Sequence, residues 1–335
     1  MPPIAAPSLD IIGIGNAIVD VLSRADDAFL EAHDLPKGGM RLVGAEDAER
    51  LYAEMGPGIE SSGGSGANTC AVAAMLGARV GFLGKVADDQ LGRVFAHDIR
   101  AAGVTFPTAP LPAATAPTAR CLILVTPDGQ RTMNTFLGAC VHFSAADVDE
   151  ALIAAAKVTY LEGYLFDPPA AQAAFFQASR AAHRAGRQVA ITLSDPFCVQ
   201  RHRQAFRRFV REEADILFAN EAEICALYET DEFGQAAALV RGDVALAALT
   251  RSAQGSVVVT EAALHPVPAK PTTVVDTTGA GDAYAAGFLA ALTRGLALPE
   301  CGRWGSAAAA AVIAQFGARP QGIMQGDLRA LVGAP

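Results

Sequence analysis

Short apolar, β-branched segments alternate with alanine-rich stretches of helical period along most of this chain, and that alternation leaves few architectures open. Residues 9–15, 80–86, 158–163, 188–193, 216–219, 245–250 and 256–260 read as strands; residues 67–76, 90–102, 169–185, 221–227 and 281–294 read as helices. Strands spaced by helices pair in parallel through right-handed crossovers, which predicts an α/β fold with a doubly wound, mostly parallel sheet covered on both faces. Ligands of such a sheet sit at the carboxyl ends of its strands.

Two stretches interrupt the alternation. Residues 18–24 and 39–43 are strand-like soon after the first strand, and residues 119–126 and 130–136 form an expected hairpin around Pro127-Asp128-Gly129. Strands inserted between βαβ units cannot all join a parallel sheet. A small separate β-sheet is therefore expected, built from about residues 16–24, 38–44 and 118–137, as a lid that keeps water from a reacting site. The proline-rich residues 107–117 would be its hinge or rim.

Composition removes several function classes. The balance of 26 Lys+Arg against 35 Asp+Glu gives −9, a poor match to nucleic acid or an anionic membrane surface. Only Lys37, Lys85, Lys157 and Lys270 are lysines, and the one Gly-Lys pair, Gly84-Lys85, has Arg79 and Val86 where a phosphate-binding P-loop needs glycine and a hydroxyl. The six cysteines lack the spacing of a metal knuckle or redox motif and read as buried thiols. Neither a leader nor an apolar run of roughly 18 residues is visible, so a cytoplasmic location is expected.

Four clusters carry chemistry. Gly13-Ile14-Gly15-Asn16 fails as a dinucleotide fingerprint, because Ile18 stands at the third small position and the next residues alternate like a strand. It leaves Asn16 and Asp20 as polar groups just past a strand end, open to turn chemistry or binding. Ser61-Ser62-Gly63-Gly64-Ser65-Gly66-Ala67-Asn68 leads into a helix; it is either a flexible connection or a close approach of backbone to ligand, with Asn68 in the first turn favouring the second. Asp276-Thr277-Thr278-Gly279-Ala280-Gly281-Asp282 precedes another helix. There the N–H groups of Gly279, Ala280 and Gly281 can converge as an anion nest, with Asp282 placed as a proton acceptor. Asn220 and Glu223 follow a strand and suit either a capping box or the water shell of Mg²⁺. The run containing Arg201, Arg203, Arg207, Arg208 and Arg211 lacks interleaved aromatics and reads as a solvated helix face.

Taken together, residues 63–92 and 276–282 resemble the two signatures of the PfkB, or ribokinase-like, family of small-molecule kinases, over about residues 9–316. The resemblance implies one ribokinase-like kinase domain over residues 1–335. Within the family, residues 13–20, 34–43, 193–197 and 215–221 look most like adenosine kinases. By that resemblance Asn16, Asp20, Gly63, Gly64 and Asn68 would hold an acceptor's ribose, with Met40, Met133 and Phe197 around its base. Asn220, Thr250, Ser252 and Gly255 would line the ATP site, and Glu223 would hold Mg²⁺ through water. Asp276 and Thr278 would bind a monovalent cation such as K⁺. Thr278 departs from the asparagine common in eukaryotic adenosine kinases, Gly66-Ala67 from their Thr-Gln pair, and Tyr164-Leu165 from their paired phenylalanines.

The expected activity is ATP-dependent phosphorylation of a primary hydroxyl, first of all the 5′-hydroxyl of adenosine, with Asp282 as base. Arg131 on the hairpin would touch phosphate when the lid closes. A sugar kinase of ribokinase or fructokinase type is the alternative enzyme, and a non-catalytic nucleotide-binding sensor the alternative of another class. The expected partners are the small acceptor and ATP, with neither nucleic acid nor membrane, in a monomer or homodimer.

Overall fold

The computed structural model describes residues 6–320 and residue 330. Its strands are β1 (Leu9–Ile14), β2 (Ile18–Arg24), β3 (Met40–Leu42), β4 (Gly58–Gly63), β5 (Val80–Leu83), β6 (Val104–Thr105) and β7 (Ala119–Val125), then β8 (Arg131–Phe136), β9 (Ala156–Glu162), β10 (Gln188–Thr192), β11 (Ile216–Asn220), β12 (Leu246–Thr250), β13 (Ser256–Thr260) and β14 (Leu264–Val267). The large sheet has the order β14-β13-β12-β11-β10-β9-β1-β5-β6, and the small sheet β3-β8-β7-β2-β4. In the large sheet the strands from β12 to β6 run parallel, while β13 and β14 are antiparallel additions at one edge.

Both faces of the large sheet are covered, which is why its strands read as continuous apolar runs. Ile11 packs into a layer with the helices Ser65–Met75, Gln90–Ala101, Ala280–Leu292 and Leu298–Ile313. Its neighbours Ile12 and Ile14 point to the opposite layer, with Pro169–Arg184, Pro196–Glu212, Glu221–Tyr228 and Phe233–Val240. From β1 the chain first builds β5 and β6 on one side and later β9 and β10 on the other. The crevice left at the carboxyl ends of β1 and β9 is where an open α/β sheet takes its ligands.

Several elements were not legible as strands or helices. β4 consists of Gly-Ile-Glu-Ser-Ser-Gly, whose glycines and serines carry little strand signal; pairing with β2 defines it. Leu298–Ile313 carries a long alanine run with little polar contrast between its faces. Residues 107–117 are tied down rather than hinge-like, because Leu111 donates to Val86 O at 2.8 Å and accepts from Asp88 N at 2.8 Å. The arginine run lies on Pro196–Glu212, and four of its five arginines are paired with acids: Arg201 with Asp167, Arg203 with Glu229, Arg207 with Asp243 and Arg208 with Glu212. Among the described residues no helix is long and apolar enough to cross a membrane.

Candidate active site

Between the small sheet and the carboxyl ends of the large one lies a cavity of about 760 Å³. Its floor is the start of the helix Ala280–Leu292. Gly279 caps that helix at φ +75°, and a Cβ there would come within 2.7 Å of Ala318, so glycine is required on both counts. The first N–H groups of a helix have no intrahelical acceptor. Ala280 N–H turns back to Thr277 O at 3.2 Å, so the nest rests on Gly279, Gly281 and Asp282 rather than on the full run expected.

Asp282 in the first turn of that helix is gripped from the other glycine-rich motif. Ser65 Oγ donates to its Oδ1 at 2.6 Å and Asn68 Nδ2 to its Oδ2 at 3.5 Å. Burial raises the Asp282 carboxyl to about 6 in spite of those bonds. Across the cavity, burial raises Asp20 to about 6 as well, with Arg319 and Arg131 pulling it down and the charge of Asp282 pushing it up. Gly64 adopts φ +94°, and a Cβ on it would overlap Asn16 O, which lets the motif fold closely against the segment after β1.

Two residues central to this arrangement carried no motif. Glu162, the last residue of β9 and 1% exposed, accepts from Asn16 N at 3.1 Å, Asn16 Nδ2 at 2.7 Å and Gly66 N at 2.7 Å, so it ties the β1 end to the glycine turn. Burial nonetheless raises it to about 7. A carboxylate closing an apolar strand was its only signal. Arg319 donates to Asn68 Oδ1 at 2.8 Å and Ser62 Oγ at 2.7 Å, and burial lowers its pKa.

At the other end, Asn220 and Glu223 form the reciprocal capping box: Glu223 N donates to Asn220 Oδ1 at 2.9 Å, while Asn220 N and Nδ2 donate to Glu223 at 3.0 and 2.6 Å. Capping and ligand roles coexist, since Glu223 also lines the cavity and each of its oxygens keeps a lone pair for a metal-bound water. Asp276 and Thr278 already hold a cation. Arg131 Nη1 lies 2.9 Å from Asp276 Oδ2 and donates to Thr278 Oγ1 at 3.2 Å.

Comparison with known proteins places this geometry. The profile described as "pfkB family carbohydrate kinase" matches residues 49–323. The chain belongs to the pfkB family of carbohydrate kinases. An adenosine kinase from Sinorhizobium meliloti superposes with a TM-score of 0.89 at 52% identity, over 97% of this chain and 99% of that one. A probable sugar kinase protein from Rhizobium etli CFN 42 superposes at 0.90 with 46% identity, over 98% and 99%. Adenosine kinase 1 of Arabidopsis thaliana is 29% identical over 92% of this chain and 94% of its own length. The protein is thus an ATP-dependent phosphotransferase acting on an alcohol, which sets aside the sensor reading.

In this kinase the cavity gathers Asn16, Asp20, Gly64, Asn68, Met40, Met133, Phe197, Asn220, Glu223, Thr250, Thr278 and residues 279–282. Four expected site residues fall outside its lining. Gly63 lies behind Asp20, where a side chain would overlap the carboxylate; Asp276 is buried beneath Thr278. Ser252 lines a neighbouring groove that shares Asn220 and Thr250, and Gly255 lines neither, holding the turn before β13 at φ +84°.

Proposed function

We propose that the acceptor is adenosine, phosphorylated on its 5′-hydroxyl with ATP as donor. The observation that carries this reading is the apolar end of the cavity. Met40 and Met133 sit side by side in the β3–β8 register, with Ile123, Leu137 and the rim residue Phe197, which is 68% exposed. A free sugar offers such a surface only its small C–H face, whereas a purine ring suits thioethers and an aromatic face. The polar end, with Asn16, Asp20 and Asn68, offers hydrogen-bonding groups for ribose hydroxyls.

In this reading Asp282 takes the 5′-hydroxyl proton as that oxygen bonds to the γ-phosphorus and the bond to the β-phosphate oxygen breaks, releasing ADP. The Gly279 and Gly281 N–H groups face the charge on the transferred group. Asn220, Thr250 and Ser252 flank the ATP groove. Glu223 would hold Mg²⁺ through water, and bound there it offsets the polyphosphate charge. The small sheet serves as the lid.

The sugar-kinase reading is favoured by the description of the family and by the name carried by the Rhizobium etli relative. An acceptor panel of adenosine, other nucleosides, ribose and fructose, with ATP and Mg²⁺, separates the two by ADP release. Adenosine should show the highest kcat/KM; preferential turnover of a free sugar would reject the proposal.

A further inference from the structure

Arg131 stands on β8 of the small sheet, yet its guanidinium is sunk into the turn that precedes the nest. Arg131 and Asp276 are each 8% exposed at the side chain. The Asp276 carboxylate is fully subscribed: Oδ1 accepts from Thr278 N at 3.0 Å and Thr278 Oγ1 at 2.7 Å, while Oδ2 accepts from Gly317 N at 3.0 Å and pairs with Arg131 Nη1 at 2.9 Å. Four donors fill the acceptor capacity of an ionised carboxylate. The Thr278 hydroxyl is used in both senses, donating to Asp276 and accepting from Arg131.

These residues do not fit a monovalent cation. An alkali ion needs free oxygen lone pairs and a net negative cradle. Here the carboxylate's positions are taken, its charge is balanced by a buried guanidinium, and a second cation beside Arg131 would meet like-charge repulsion at low local dielectric. We infer that the Arg131 guanidinium serves as this kinase's built-in cation at the Asp276–Thr278 site, making catalysis independent of K⁺ and coupling the turn's charge to the seating of the small sheet. The pair does not use the whole guanidinium: Nε and Nη2 are buried and have no partner among the described residues.

The inference rests on phosphoryl transfer at the nest and not on the identity of the acceptor, so it can fail while the adenosine reading stands. The test compares wild type with Arg131→Met in potassium-free buffer, titrating KCl against tetramethylammonium chloride at constant ionic strength. Both turnover and thermal unfolding midpoint are read. Wild type should show the same response to both salts, which is the general screening effect. Arg131→Met should lose turnover and then gain a K⁺-specific rise in melting temperature, with activation in the about 5- to 150-fold range of coupled sites. Saturable K⁺-specific activation or stabilisation of wild type would overturn the inference. So would an Arg131→Met variant whose melting temperature responds identically to the two salts. If the variant does not fold, the wild-type melting titration decides alone.

Discussion

Ser65 Oγ donates a 2.6 Å hydrogen bond to Oδ1 of Asp282, so the first turn of one helix sets the charge on the first turn of another, 217 residues later. The carboxylate is being pulled two ways, upward by burial and downward by this donor.

Ser65→Ala removes the stronger of the two hydrogen bonds that favour the ionised form. A hydrogen bond to a charged group contributes about 1.5–3 kcal/mol, and about 1.4 kcal/mol corresponds to one pKa unit. The acidic limb of the kcat/KM profile, expected near pH 6 in wild type, should therefore move up by about one unit. The rate should recover at high pH. A uniform loss at every pH would mean that Ser65 acts on structure alone.

Asp282→Asn should lower kcat about 10²–10⁴-fold while leaving ATP affinity nearly unchanged. The same substitution should stabilise the unliganded enzyme. Its folded pKa of about 6 exceeds the ordinary 3.8, so the folded state binds the proton more tightly than the unfolded one. The stabilisation this gives is present below pH 4 and lost as pH rises through 6. At pH 8 the neutral asparagine should therefore gain roughly 1–2 kcal/mol, discounted for the carboxylate's access to solvent, and nothing at pH 4. Melting curves at the two pH values check the sign.

The nest was legible in the sequence because glycine and threonine crowd into residues 276–282 beyond what capping requires. Asn16, Asp20 and Asn68 were legible because each follows a strand end or opens a helix. Glu162 and Arg319 were not. Each acts through partners distant in sequence, Asn16 and Gly66 for Glu162, Ser62 and Asn68 for Arg319, and no local pattern distinguishes them from an ordinary surface charge. The pairing of Arg131 with Asp276 was hidden for the same reason: the hairpin was readable, its seat against the turn at residues 276–278 was not. β4 was missed because its strand character comes from β2.

Glu162→Gln tests the hidden carboxylate. Glu162 accepts three N–H donors, and a glutamine turns one acceptor oxygen into a donor that must face an N–H. Leaving a buried donor unmatched costs about 1–3 kcal/mol, so the melting temperature should fall. Asn16 loses its anchor while Asp282 keeps Ser65, so KM for the acceptor should rise more than kcat falls. A variant with wild-type KM would show that Asn16 is positioned by other means.

Met133→Ala addresses the choice of acceptor. Met133 sits opposite Met40 in the β3–β8 register, and truncation removes one wall of the apolar end while leaving Asp20, Asn68 and Asp282 in place. Contacts of this size in a hydrophobic pocket distinguish ligands by about 1–3 kcal/mol, or roughly 10- to 200-fold. The loss should appear in kcat/KM for adenosine. It should be absent for any slow turnover of ribose, which has no base to place against the methionines. Equal losses with both acceptors would mean that the methionines support the fold of the small sheet and do not read the base.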